Sequence, residues 1–119
     1  MALCGDKLDI YSGNDDQIVP ILACGGKGVI SVLSNVIPAE TVLMCDKFFT
    51  GDVAGAMELQ VKHLNLTNAL FCEVNPIPVK AAMAAMGYGE NILRLPLVPM
   101  EKNHEEMLLA FMREAGVNV

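Results

Sequence analysis

The sequence predicts an α/β fold with a parallel but unfinished sheet, on three observations. An alternating stretch and a nearly continuous apolar, β-branched one flank a short helical run near the start, and a β-α-β order makes those strands parallel. Everything after Asn35 keeps helical spacing to the end. At 119 residues and 53% apolar content, the chain must bury most of these faces in one modest packed body.

The first strand is predicted at Lys7-Leu8-Asp9-Ile10-Tyr11, which alternates and then breaks at Ser12-Gly13-Asn14. Asp15 or Asp16 then caps a short helix over Gln17–Ala23, because a short carboxylate accepts the free N–H groups of a first turn, where Pro20 is also tolerated. Gly25-Gly26 stops that helix, and Val29-Ile30-Ser31-Val32-Leu33 forms the second strand.

This order decides the reading of Gly25-Gly26-Lys27-Gly28. A phosphate-binding glycine loop follows a strand and opens a helix, so that helix N–H groups face the anion. Here the glycines follow a helix and enter a strand, so they read as a plain αβ turn on the stability face. The functional face instead carries Ser12-Gly13-Asn14 and Leu33-Ser34-Asn35, the segments that follow the strands.

Pro38 opens a helix that runs to Phe49 and ends at Gly51-Asp52. A long helix is predicted from Val53 to Phe71, with Met57, Val61, Leu64 and Phe71 near one side. Asn75-Pro76-Ile77-Pro78 forces an extended corner before Val79, Ala82, Met83 and Met86 recur at helical spacing. Leu93–Pro99 is a proline-broken connector, and Asn103 with Glu106 reads as a capping box for a last helix bearing Met107, Leu108, Phe111, Met112 and Ala115. Two strands and five helices result, and two parallel strands leave two unpaired edges. Either a partner chain or the upstream part of a larger protein is predicted to complete the sheet.

Composition narrows the function. A net charge of −6 and no basic stripe argue against nucleic acid. No basic-then-apolar leader and no long apolar run is present, which predicts neither export nor a membrane span but a cytoplasmic protein. Cys4, Cys24, Cys45 and Cys72 are scattered without metal-ligand spacing and read as reduced core thiols; Asn14-Asp15-Asp16 reads as capping rather than a cation site, and no metal or cofactor is implied. His63 and His104 sit on predicted helices with no partner spacing.

Three blocks carry a family resemblance: SGNDDQIVPILACGGKGVISVLSNVIP, NALFCEVNPIPVKAAMAAMGY and LRLPLVPM. In this order they resemble the C-terminal portion of the dihydrodipicolinate synthase (4-hydroxy-tetrahydrodipicolinate synthase) family, over essentially the whole chain. The resemblance implies the last two βα units of a (β/α)8 TIM barrel, over residues 1–51, and a C-terminal helical extension, over residues 52–119. It implies a homotetrameric lyase of lysine biosynthesis that condenses pyruvate, held as a Schiff base on a lysine, with aspartate semialdehyde.

On this mapping the Schiff-base lysine lies on strand six and the proton-relay tyrosine on strand five, both before Met1, whose neighbours Ala2, Leu3, Cys4 and Gly5 resemble the tail of the sixth helix. The chain alone is therefore expected to be inactive. Ile30, on strand eight, resembles the residue that touches bound pyruvate, and Gly13 a backbone position at the mouth of the site. Without the resemblance Ile30 reads as a core isoleucine.

The lysines agree with that reading, since a Schiff-base lysine belongs at the C-terminal end of a barrel strand. Lys7 starts a strand, Lys27 is on the opposite face, and Lys47, Lys62 and Lys102 lie among polar helix positions; Lys80 alone sits in an apolar run, as a helix-surface lysine with a covering stem. Two rivals remain: a sister Schiff-base aldolase, such as N-acetylneuraminate lyase or a 2-keto-3-deoxy sugar-acid aldolase, and a non-catalytic assembly module whose bare strands pair with another chain.

Overall fold

The structure, a computed structural model, describes residues 3–119. Met1 and Ala2, part of the segment read as the tail of a helix, lie outside the described residues; Gly5–Lys7 form a single 3-10 turn. Strands β1 (Tyr11–Ser12) and β2 (Gly28–Val29) pair in parallel, with Tyr11 opposite Gly28 and Ser12 opposite Val29.

Both strands are shorter than their sequence patterns predict, for physical reasons. Residues 8–10 precede the ladder, Lys7 belongs to the 3-10 turn, and only the Ile10 carbonyl finds a partner, the Lys27 N–H at 2.7 Å. After Ile30, whose N–H donates to the Ser12 carbonyl at 2.8 Å, the chain leaves the ladder because the Asp15 carboxylate takes the N–H groups of Val32 and Leu33. Leu33–Asn35 then turn as a 3-10 segment.

Between the strands lies α1 (Ile18–Ala23), preceded by a 3-10 turn at Asp15–Gln17. Gly25 has φ +94°, the left-handed conformation that suits glycine past a helix end. A Cβ on Gly26 would come within 2.7 Å of Ile21 Cγ2, so close approach also requires glycine there. The turn before β2 is thus the αβ connection the element order predicts.

Among the described residues six α-helices form in place of the predicted five. Helix α2 (Pro38–Phe49) has proline in its first turn and Lys47 in its last, as its sequence suggests. The long helix predicted from Val53 divides at His63 into α3 (Val53–Lys62) and α4 (Leu64–Leu70). Asp52 caps α3 by accepting the Gly55 N–H at 3.0 Å, and it pairs with Lys47. The stripe expected on the single long helix is displaced along α3 and α4: Met57, Val61, Leu64 and Phe71 are exposed, while Ala56, Gln60, His63, Leu66, Thr67, Ala69 and Leu70 are buried. The buried face sits one position toward the N-terminus of the expected one and includes polar residues that hydropathy passes over.

Helix α5 (Ile77–Ala85) starts two residues early, since Pro78 fits a first turn, and α6 (Lys102–Glu114) follows the extended connector. The Asn103–Glu106 capping box is absent. Instead Glu73, far back in the chain, accepts the Glu101 N–H at 3.0 Å and meets His104 Nδ1 at 2.8 Å. The cysteines also differ from the core reading: Cys4, Cys24 and Cys72 are exposed and Cys45 is half-buried.

Two hydrophobic clusters hold the helices. One joins α1, α2 and α3 through Ile18, Val19, Leu22, Met44 and Ala56, with Val29 of β2 against it. The other gathers Leu33, Val36 and Ile37 onto α4, α5 and α6, around Leu70, Leu108 and Met112. Each fully buried Leu, Ile or Met contributes about 1.5–3 kcal/mol. No helix among the described residues is long and apolar enough to cross a membrane.

Glu73 gives a testable pH dependence. The hydrogen bonds from His104 and from the Glu101 N–H hold its carboxyl below the ordinary glutamate range. A lowered folded-state value means the contribution is complete above the ordinary range and is lost as pH falls through the folded value. In Glu73→Gln, which keeps an acceptor but loses the charge, acid unfolding followed by circular dichroism is expected to lose part of this steepness. An identical acid profile would remove Glu73 from the stabilising set.

Candidate functional site

The two segments that leave the strands at their C-terminal ends are drawn together by one carboxylate. Asp15, 1% exposed, accepts the Val32 N–H at 2.9 Å and the Leu33 N–H at 3.0 Å through Oδ2. It therefore links the loop after β1 to the loop after β2, rather than capping α1, which has no side-chain cap. The Gln60 side chain locks this loop from α3: its Nε2 donates to the Asp15 carbonyl at 2.8 Å, and its Oε1 accepts the Val19 N–H at 3.1 Å. Within the loops, the Ser12 hydroxyl donates to the Asn14 carbonyl at 2.7 Å, and the Ser31 hydroxyl accepts the Ser34 N–H at 2.8 Å.

The register fixes which side chains share a face. Ser12 and Val29 are opposite one another and turn toward the helices, where Ser12 is buried and Val29 packs on the α1–α3 cluster. Alternation puts Tyr11 and Gly28 on the other face. Gly13 and Ile30, the residues singled out from the sequence, each directly follow their strand, and the Ile30 N–H donates to the carbonyl of Ser12, the residue before Gly13, at 2.8 Å. Ile30 is 72% exposed, and a Cβ on Gly13 would meet nothing within 4 Å. This is an open, apolar wall with backbone groups at its rim.

Sequence reasoning makes Asp15 a candidate helix cap and passes over Gln60; the partners of Asp15 lie 17 and 18 positions away, and Gln60 binds across 41 and 45. No local spacing encodes such contacts.

The remaining chemistry lies elsewhere. No lysine occurs in the segments between each strand and the helix after it. Lys27 is exposed at the opposite end of β2, and Lys80 is half-buried on α5. His63 does have a partner, Glu40 Oε2 at 3.4 Å from Nε2, and it lines a pocket of about 170 Å³ formed by α3, α4 and α6. A smaller pocket of about 120 Å³ lies between Asn14 and Asp16 on one side and Thr67, Asn68 and Phe71 of α4 and its end on the other. Beside β2, burial and the neighbouring Asp46 push the Cys45 thiol up, which disfavours a reactive thiolate.

The model of the Dihydrodipicolinate synthetase family matches residues 1–115. The 4-hydroxy-tetrahydrodipicolinate synthase of Alkaliphilus oremlandii is 55% identical over 115 residues, which cover 97% of this chain and 40% of that protein. The same-named protein of Clostridium perfringens is 52% identical over 97% of this chain and 40% of its own length. This chain thus spans about 40% of the length of the curated relatives it matches.

Among solved structures, dihydrodipicolinate synthase from Thermotoga maritima superposes with a TM-score of 0.93 at 45% identity, covering 96% of this chain and 39% of that one. The chloride-inhibited enzyme of Acinetobacter baumannii, complexed with pyruvate, gives 0.89 at 38% identity, over 94% of this chain and 38% of that one. The fold is the C-terminal part of a (β/α)8 barrel, its last two βα units, followed by a helical extension. The chain belongs to the dihydrodipicolinate synthetase family.

Proposed function

We propose that this chain supplies strands seven and eight and the helical extension of a 4-hydroxy-tetrahydrodipicolinate synthase, which condenses pyruvate, held as a lysine Schiff base, with aspartate semialdehyde in lysine biosynthesis. The observation that carries the reading is the 55% identity, over 97% of the chain, to a relative of that name. The pyruvate complex of the Acinetobacter baumannii neighbour supports the first substrate.

In this reading residues 1–51 form barrel and residues 52–119 form extension. Ile30 is an apolar wall against the methyl end of pyruvate, and Gly13 leaves room and backbone groups at the mouth. The Schiff-base lysine and the proton-relay tyrosine belong to strands six and five, so the described portion binds and shapes but does not form the covalent intermediate. The complete enzyme is a homo-oligomer, a tetramer as in the family, and works in the cytoplasm.

The test is a fusion of this chain behind the first six βα units of the Alkaliphilus oremlandii relative, assayed for condensation of the two substrates. Turnover is expected, and a folded fusion without turnover would contradict the reading. In that fusion Ile30→Asp is expected to weaken pyruvate binding by at least about tenfold, because a carboxylate desolvated beside an anionic ligand repels it. Gly13→Ala should leave stability unchanged, since nothing crowds the new methyl, while raising the pyruvate KM. Unchanged pyruvate affinity in Ile30→Asp would take Ile30 out of the site.

A further inference from the structure

The Asp15 carbonyl and the Val19 N–H lie four residues apart, the spacing at which an α-helix closes its own hydrogen bond. Here both go to Gln60 instead: the Asp15 carbonyl accepts Nε2 at 2.8 Å, and the Val19 N–H donates to Oε1 at 3.1 Å. The Gln60 amide, on a side chain only 5% exposed, thus stands inside the first turn as an inserted peptide group would. Its orientation is fixed, because the carbonyl demands the NH2 end and the N–H demands the oxygen. The backbone shows the result. Asp15–Gln17 make a 3-10 turn, Gln17 has φ −117° and ψ 15°, and regular helix starts only at Ile18.

We propose that Gln60 is a positioning residue of the pyruvate site, acting through Asp15 by holding this turn open. With the turn open, the Asp15 carboxylate reaches the Val32 and Leu33 N–H groups and ties the loop carrying Gly13 to the segment after Ile30. That arrangement leaves Asp15 Oδ1 buried without a partner, an unmet polar group that the contacts from α3 keep in place. Without the amide, the Asp15 carbonyl and the Val19 N–H lose their partners together, and each is the nearest replacement for the other. Their direct bond winds α1 back to Asp15 and turns its carboxylate away from Val32 and Leu33. The turn therefore has two hydrogen-bonded arrangements, and a side chain 41 and 45 positions away selects the open one. The ligand in this inference rests on the function proposed above, whereas the two arrangements of the turn rest on the hydrogen bonds alone.

The experiment is Gln60→Met in the fusion enzyme, which fills a similar space without an amide. The pyruvate KM is expected to rise at least about tenfold, with kcat within about twofold of the parent, because the loop is displaced but the lysine that reacts is not. Amide exchange on the same protein needs no turnover: Val32 and Leu33 should exchange at least about tenfold faster, while Val19 stays protected by its new bond to the Asp15 carbonyl. Gln60→Asn keeps both amide groups on a side chain one carbon shorter and is expected to fall between parent and Gln60→Met in KM; it carries the same readouts in case Gln60→Met does not fold. Exposure of the Val19 amide with Val32 and Leu33 still protected would make Gln60 a plain structural tie and overturn the inference. So would an unchanged pyruvate KM in an active fusion. A fusion without turnover whose three amides respond as expected supports the two arrangements of the turn and counts against the proposed reaction alone.

Discussion

Asp15→Ala is expected to destabilise the chain by about 3 kcal/mol, read as a shift in the urea midpoint with an unchanged slope. Two effects add. The substitution removes two hydrogen bonds to a carboxylate, each worth about 1.5–3 kcal/mol, and it leaves the N–H groups of Val32 and of buried Leu33 without acceptors. Some of this is offset, because Asp15 Oδ1 is itself buried without a partner and its desolvation cost disappears with the side chain. Asp15→Asn retains one acceptor oxygen for the same two donors and should cost less. In the fusion enzyme both substitutions are expected to raise the pyruvate KM, since the loop carrying Gly13 and the segment after Ile30 lose their link. A loss below about 1 kcal/mol in Asp15→Ala would mean that the loops are held by something other than this carboxylate.

Leu108→Ala is the second large effect, a loss of about 3–4 kcal/mol from a fully buried position on α6. Leu108 sits where α4, α5 and the segment after β2 converge, together with Leu33, Leu70 and Met112. Rigid neighbours on several elements cannot collapse into the space, so a cavity cost is added to the lost transfer energy. Val61→Ala, on the exposed side of α3, should change stability by less than about 0.5 kcal/mol. Similar costs at the two positions would show that the assigned core is misplaced.

These two substitutions mark what the sequence could and could not convey. On α6 the apolar residues recur at helical spacing around Leu108 and Met112, and both are buried. On α3 the same reasoning pointed to Met57 and Val61, whereas the helix buries Ala56 and Gln60. An alanine and a glutamine carry little hydropathic signal, and Gln60 is inside because it satisfies Val19 and Asp15. The break at His63 was hidden for a similar reason: neither glycine nor proline marks it. The parallel order and the helix after Pro38 were legible, because chain order and proline geometry are local.

The site followed the same division. Gly13 and Ile30 came from the resemblance, and each directly follows one of the two paired strands. The device that aligns them, Asp15 held by Gln60, depends on contacts across tens of residues. Only a folded chain brings those groups together.

On the proposed function, this portion of the barrel shapes the pyruvate site without carrying the lysine that traps pyruvate. Intact mass before and after treatment with pyruvate and borohydride tests it directly, because reduction makes a Schiff base permanent. The 12.8 kDa chain alone should take no adduct, whereas the fusion with the six upstream βα units should gain one pyruvate on its upstream part. A pyruvate adduct on a lysine of the 119-residue chain itself, with half-buried Lys80 the first to examine, would contradict the account and move the chemistry into this portion.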